Sequence, residues 1–540
     1  MTLTPKNNIE HKQMAKSKKK SSTQLNNSPK KIQQPIASNK TISKKQPKSV
    51  FQSSPVYDLL HYFERAPDQW TARYILVLTA VILRTAVGLG GHLGYHVPPM
   101  FGDFEAQRHW MELTINLPIS QWYFFDLQYW GLDYPVLTAY HSYICGIIGN
   151  FINPTWFVLN DSRGLESDDI RMFMRMTAII SELIIYIPGI LKLANLLGKK
   201  SNINRMDQII IALIIINQPH LVLIDHGHFQ YNSVMLGFFI YSIIDLIKGN
   251  LVLASIWFIS CINFKQMGLY YSLFIFFYIL SQIRSFLKLI VVGVTVVLTQ
   301  VVYLIPFIWF HPQSVLQILI RVFPFNRGLF EDKVANFWCT TNILIKYREI
   351  IDGSQLSKLA LIATLLATIP INIYLFIKII RKPAVKVPAM IYGFASNALS
   401  FYLFSYQVHE KSILIALVPI SLLLLINPHD ITMVQYINTV GTFSLYPLLK
   451  KDGLVMQYIV LNLLINWLIG KNLVFNKKVG TLNCLMIVST YAAIFAFHVI
   501  DFILEPPARY PDLWVILNTA ISFGAFSYFW FWLSYRIFKL

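Results

Sequence analysis

The segment Gly102-Asp103-Phe104-Glu105-Ala106-Gln107-Arg108-His109-Trp110 sets two carboxylates, a guanidinium and an imidazole beside a bulky aromatic ring. That mixture suits a sugar. Trp and Tyr faces stack on pyranose rings, and a carboxylate can take the proton of a sugar hydroxyl as the hydroxyl becomes a nucleophile. The same spacing also fits the first turn of a helix, with Asp103 as N-cap and Glu105 as a carboxylate favoured by the dipole. Trp122, Tyr123, Tyr129, Trp130, Asp133 and Tyr134 extend the aromatic character. They read either as more sugar-binding surface or as an interfacial belt, which Asp133 fits less well.

Further along, Asp225-His226-Gly227-His228-Phe229-Gln230-Tyr231-Asn232 crowds polar groups between apolar runs. An unpaired polar group costs several kcal/mol in lipid, so these side chains must face a cavity or each other. His226 and His228 lack a helical metal-ligand spacing, and the four cysteines form no CxxC pattern, so neither a metal site nor a disulfide framework is expected. Residues 321 to 338 bring Arg321, Arg327 and Lys333 close to the membrane face, where such cations either counter a lipid phosphate or snorkel to headgroups. Tyr406-Gln407-Val408-His409-Glu410-Lys411 again interrupts apolar sequence, a default sign of function inside a membrane. Arg84 and Glu182, each inside an apolar run, read as structural partners.

The elements that must position these groups follow from composition. Of 540 residues, 55% are hydrophobic and 14% charged, a balance for lipid rather than water. Windows of roughly 20 apolar residues recur from residue 75 to residue 535, about twelve to fourteen in all. They show no alternation of period two, so the expected fold is an all-α polytopic membrane protein rather than a closed barrel. The first span runs from about Tyr74 to Gly91 and leads into a long polar and aromatic segment, 93–134; a second such segment is 311–340. Seven apolar stretches separate the two, an odd number, so one stretch does not cross if both segments share a side. The candidates are 135–153 and 207–223, the latter broken at Gln218-Pro219. Residues 1–55 are expected as a disordered basic cytoplasmic tail. Its first 50 residues hold twelve lysines against the single acidic Glu10, +11 of the net +19. Beside a first span such a tail sets topology rather than binding nucleic acid, and it lacks the apolar core of a cleaved signal peptide. Residues 56–350 are expected as the catalytic membrane module and 351–540 as further transmembrane helices.

GDFEAQRHWMELT, WGLDYP, SRG, DHGHFQYNSVMLG, FKQM, FPFNRGLFEDKVANFWC, QVHEKSI and YPLLKKDGL occur in order from residue 102 to about residue 454. This run resembles the eukaryotic glucosyltransferases that build the lipid-linked oligosaccharide for asparagine-linked glycosylation. Of the two branches of that family, Gln107-Arg108-His109-Trp110 and His226-Gly227-His228 are similar to the one that adds the first glucose. Val136 after Pro135 and Leu165 after Ser162-Arg163-Gly164 are small apolar departures. The resemblance implies a GT-C glycosyltransferase fold in the endoplasmic reticulum membrane, with a luminal active site under the first loop. It also implies dolichyl-phosphate-glucose as donor, (Man)9(GlcNAc)2-PP-dolichol as acceptor, and no cofactor. Asp103 matches the family's general base in an inverting transfer. Arg321, Arg327, Lys333 and His409 are then candidates for stabilising the leaving phosphate, and Glu105, Arg108, Asp133, His226, His228 and Gln230 for binding substrate. A second-glucose enzyme of the same family and a lipid or solute transporter are the competing readings.

Overall fold

Long runs of Leu, Ile, Val and Phe find no backbone partner in lipid except within the same segment, and the chain folds into helices throughout. The computed structural model describes residues 48–63, 69–323, 333–470 and 479–540, and among them there is no strand. Arg327 and the tail up to residue 47 lie outside the described residues. The last part of the expected tail is pinned to the body: Ser49 and Val50 both donate to Asp207, and Phe51 is fully buried.

Among the described residues, seven helices are long and apolar enough to cross a membrane, the first Trp70–Gly88 and the last Leu513–Phe538. A bent pair, Arg205–Ile216 and Pro219–Phe229, makes an eighth if it is one span. The apolar windows outnumber these because several fold as shorter pieces. Val136–Ile152, Leu251–Phe264 and Val455–Ile469 are apolar but short. Lys265 ends the second of these and a 3-10 segment follows it, while Pro419 sits inside Ile413–Leu422. The helix Pro383–Phe404 is central, with 78% of its apolar window buried, whereas Phe286–Phe310 is peripheral at 6%.

The stretch 207–223 is broken as its Gln218-Pro219 step suggests. Proline supplies no N–H and keeps the residue before it extended, and the two halves meet at a 41° bend. Beyond the bend the chain widens into a π-type turn, Leu223–Phe229, that carries Asp225, His226 and His228. Arg175 donates to the carbonyls of His226 and Gly227 at 2.6 and 2.9 Å, and the Asp225 carboxylate accepts from Asn232 Nδ2 and the Ser233 N–H. Arg84 and Glu182 do meet as partners. Their bidentate pair at 2.6 Å is fully buried, and Arg84 also donates to Asn217 Oδ1 and the Ile216 carbonyl, tying the first span to the bend.

Candidate active site

Two glycines place the helix Gly102–Asn116. Gly94 and Gly102 both have positive φ, and a Cβ on Gly102 would stand 2.2 Å from the Leu93 carbonyl oxygen, so the stretch of chain before the helix can fold directly against its start. The N-cap is Phe101, left-handed and with no side-chain capping bond. Asp103 is therefore not the cap, and its carboxylate reaches across to three other segments.

All three contacts fall on one oxygen. Asp103 Oδ2 accepts from Lys411 Nζ at 2.6 Å and Gln230 Nε2 at 2.5 Å, and lies 3.0 Å from His228 Nε2. Lys411 Nζ is also 3.0 Å from that imidazole nitrogen, and His228 Nδ1 is 2.7 Å from Asp452 Oδ2. Asp103 Oδ1 makes no hydrogen bond among the described residues, and the side chain keeps 19% of its surface accessible. Burial pushes the Asp103 carboxyl up, but the Lys411 ammonium and the His228 bond outweigh it and hold the group well below the usual carboxylate range. At neutral pH the site presents an ionised carboxylate with one oxygen anchored and one open, which can accept a proton from a hydroxyl.

Behind this oxygen runs a second line of support. Lys265 Nζ donates to Gln230 Oε1 at 3.1 Å and to Asn232 Oδ1 at 2.7 Å, and sits 4.9 Å from the centre of the Tyr134 ring. With its Oε1 taken by Lys265, the Gln230 amide turns its Nε2 to Asp103. Half-buried Asp133 contributes negative charge near Lys265.

Asp103, His228 and Gln230 are thus brought together, with Asp133 behind them near Lys265, whereas Glu105, Arg108, His226, Arg321 and Lys333 are engaged elsewhere. Glu105 lies two positions from Asp103, about 200° around the helix. It forms a bidentate pair with Arg108 at 2.7 Å and accepts from Tyr129 at 2.9 Å. Arg108 further donates to Glu112 at 2.6 Å, Ser162 Oγ at 2.8 Å and the Trp156 carbonyl at 3.1 Å. Glu112 also accepts from the Asn160 N–H; burial raises its carboxyl, but the His109 imidazole 3.3 Å away and the Arg108 charge bring it down to about 2. These buried groups clamp the helix to residues 156–162 and are spent on one another. His226 joins the Arg84–Glu182 pair, its Nε2 2.6 Å from Glu182. Arg321 donates to the carbonyls of Gly131 and Leu132, which fixes the loop carrying Asp133. Lys333 is exposed and paired with Asp512, and half-buried His409 lies two residues before Lys411.

Of three further residues of the cluster, Lys265 and Asp452 are not among the expected ones, and Lys411 is expected only as part of the Tyr406 to Lys411 segment. Each lies inside a polar interruption of apolar sequence, in FKQM, QVHEKSI and YPLLKKDGL. That signal marks a segment and does not say which of its residues faces Asp103.

A model of the ALG6, ALG8 glycosyltransferase family matches residues 80–532. The chain is 44% identical over 524 residues to the Saccharomyces cerevisiae dolichyl pyrophosphate Man9GlcNAc2 alpha-1,3-glucosyltransferase, covering 90% of this chain and 95% of the relative. It is 45% identical over 494 residues to a Schizosaccharomyces pombe protein given as a probable enzyme of the same name, with the same coverage. Against the Rattus norvegicus dolichyl pyrophosphate Man9GlcNAc2 alpha-1,3-glucosyltransferase the identity is 37% over 500 residues, 86% of this chain and 96% of the relative.

Proposed function

The chain belongs to the ALG6, ALG8 glycosyltransferase family, and from this membership we infer that it transfers the first glucose onto the terminal mannose of (Man)9(GlcNAc)2-PP-dolichol in α-1,3 linkage. It is a multi-pass membrane glucosyltransferase. The donor in this reading is dolichyl-phosphate-glucose, and the reaction takes place on the luminal face of the endoplasmic reticulum with the basic N-terminus in the cytosol.

The observation that carries the mechanism is the asymmetric anchoring of Asp103, with Oδ2 held by three side chains and Oδ1 open. A mannose 3-hydroxyl hydrogen-bonded to Oδ1 would attack the anomeric carbon of glucose while the dolichyl phosphate bond breaks on the opposite face. One base and a direct displacement invert the β-linked donor to an α product without a covalent enzyme intermediate. A carboxylate whose pKa is held low is a weak base, which suits a transition state in which the sugar is already cation-like and the hydroxyl proton leaves late. Dolichyl phosphate leaves as an anion and needs nearby positive charge rather than protonation. His409, two residues before Lys411, is the candidate for that role in this reading, whereas Arg321 is engaged with backbone carbonyls and Lys333 with Asp512.

Turnover of purified protein with defined donor and acceptor lipids tests the reading. The expected product is a single α-1,3-linked glucose on the nine-mannose lipid. Transfer to an acceptor already carrying one glucose, and not to the unglucosylated one, would move the chain to the second-glucose reaction, and no transfer to either would overturn the reading.

A further inference from the structure

The ends of three helices line an open polar cleft of about 250 Å³, away from Asp103. Arg73 from the first span, Lys199 from Tyr186–Lys200 and Arg205 from Arg205–Ile216 line it together with the amides Asn195 and Gln208. Among the described residues no carboxylate lines it and none of the three cations forms an ion pair. The Gln208 side chain packs over Gly198, where a Cβ would meet it at 2.4 Å, and donates to the Ile203 carbonyl at 2.9 Å. Its amide is thereby fixed at the cavity.

The side chains beside the cavity match those of headgroup level. Trp70 and Tyr74 flank Arg73 with 63% and 70% of their surfaces exposed, as expected of an interfacial aromatic belt, and the Arg73 guanidinium stacks 5.2 Å above the Trp70 ring. The far end of the same span, Gly88, packs against the turn bearing His226, so Arg73 and the turn are about 22 Å apart along the helix. The cavity is therefore on the membrane face opposite the candidate active site.

Three cations from three elements and two amides, with no acid among the described lining residues, form a recognition surface for a phosphate group, and the interfacial depth makes that phosphate a lipid's. We infer that this cavity binds the phosphate of an anionic phospholipid headgroup. The lipid bridges the first span to the Arg205–Ile216 helix, whose continuation past the bend carries His228 into the active site. The site is separate from glucose transfer and does not depend on which acceptor the enzyme uses.

Native mass spectrometry of the full chain in detergent, titrated with phosphatidic acid and with phosphatidylcholine, tests the inference. The Arg73→Gln/Lys199→Gln/Arg205→Gln variant should bind phosphatidic acid at least ~10-fold more weakly, because each cation adds its own attraction to the phosphate, with phosphatidylcholine binding unchanged. Arg73→Lys/Arg205→Lys should retain most of the binding, and Arg73→Gln alone should lose part of it, which keeps the test informative if the triple variant folds poorly. Unchanged phosphatidic acid binding in the triple variant overturns the proposal, as does equal loss from Lys346→Gln/Arg348→Gln/Lys358→Gln, which would reveal general surface charge. Complete displacement of the lipid from wild type by excess inorganic phosphate overturns the lipid source in favour of a soluble anion.

Discussion

Asp452 lies 224 positions beyond His228 in the chain and 2.7 Å from its Nδ1. The imidazole is thereby gripped on both nitrogens, with Asp452 behind and Asp103 in front. Asp452 is buried and commits its Oδ2 to His228, while its Oδ1 has no partner among the described residues. The pair brings the last third of the chain against the turn after the broken span.

Asp103→Asn should abolish transfer while leaving the fold intact. The amide keeps the shape of the carboxylate but accepts no proton, and general bases contribute about 10²–10⁴-fold. Single-turnover assays on protein with an unaltered melting curve check this, and activity near wild type would remove Asp103 as the base.

Lys411→Gln should make activity sensitive to mild acid. The folded-state carboxyl of Asp103 titrates below its ordinary value, so its charge, and the stability that charge contributes, is complete above about pH 4 and fades as pH falls through the lowered pKa. Wild type should therefore show no acid limb from this group near neutral pH. Without the ammonium only His228 opposes the upward push of burial, so the limb of a kcat/KM profile should move to higher pH; an unmoved limb would separate Lys411 from the base.

Asp452→Asn should lower kcat by about 10–100-fold with little change in acceptor KM, the usual cost of losing the group that orients a working imidazole. The measurement is a kcat against KM split across acceptor concentrations. A rise in KM alone would make Asp452 a binding residue instead.

Arg108→Leu should destabilise by about 3–5 kcal/mol, because Glu105 and Glu112 would be left buried without their cation. The combined Arg108→Leu/Glu105→Gln/Glu112→Gln variant should recover much of the loss in thermal melts. Failure of the combination to recover would place the defect in packing rather than in charge.

A glycosylation acceptor engineered within residues 93–100 should be modified in microsomes, and Asn39-Lys40-Thr41 should stay bare. Glycan on Asn39 would invert the topology and with it the luminal assignment.

The sequence alone determined the helical membrane class, because a backbone in lipid must satisfy its own hydrogen bonds wherever apolar runs are long enough. It also determined the family, through uninterrupted motifs, and named Asp103, His228 and Gln230 as candidates. The tertiary structure decided which of the motif residues share a surface. Glu105 and Arg108 belong to the same motif as Asp103, yet 100° of turn per helical residue carries them to the other side, into a closed knot with Glu112. His226 and His228 are two residues apart, yet the π-type turn sends one to Glu182 and the other to Asp103. Lys411 and Asp452 reach the site from 308 and 224 positions away from Asp103 and His228. Spacing within a motif reports local geometry, whereas these contacts depend on how helices far apart in the chain pack together, so only the folded chain decides them.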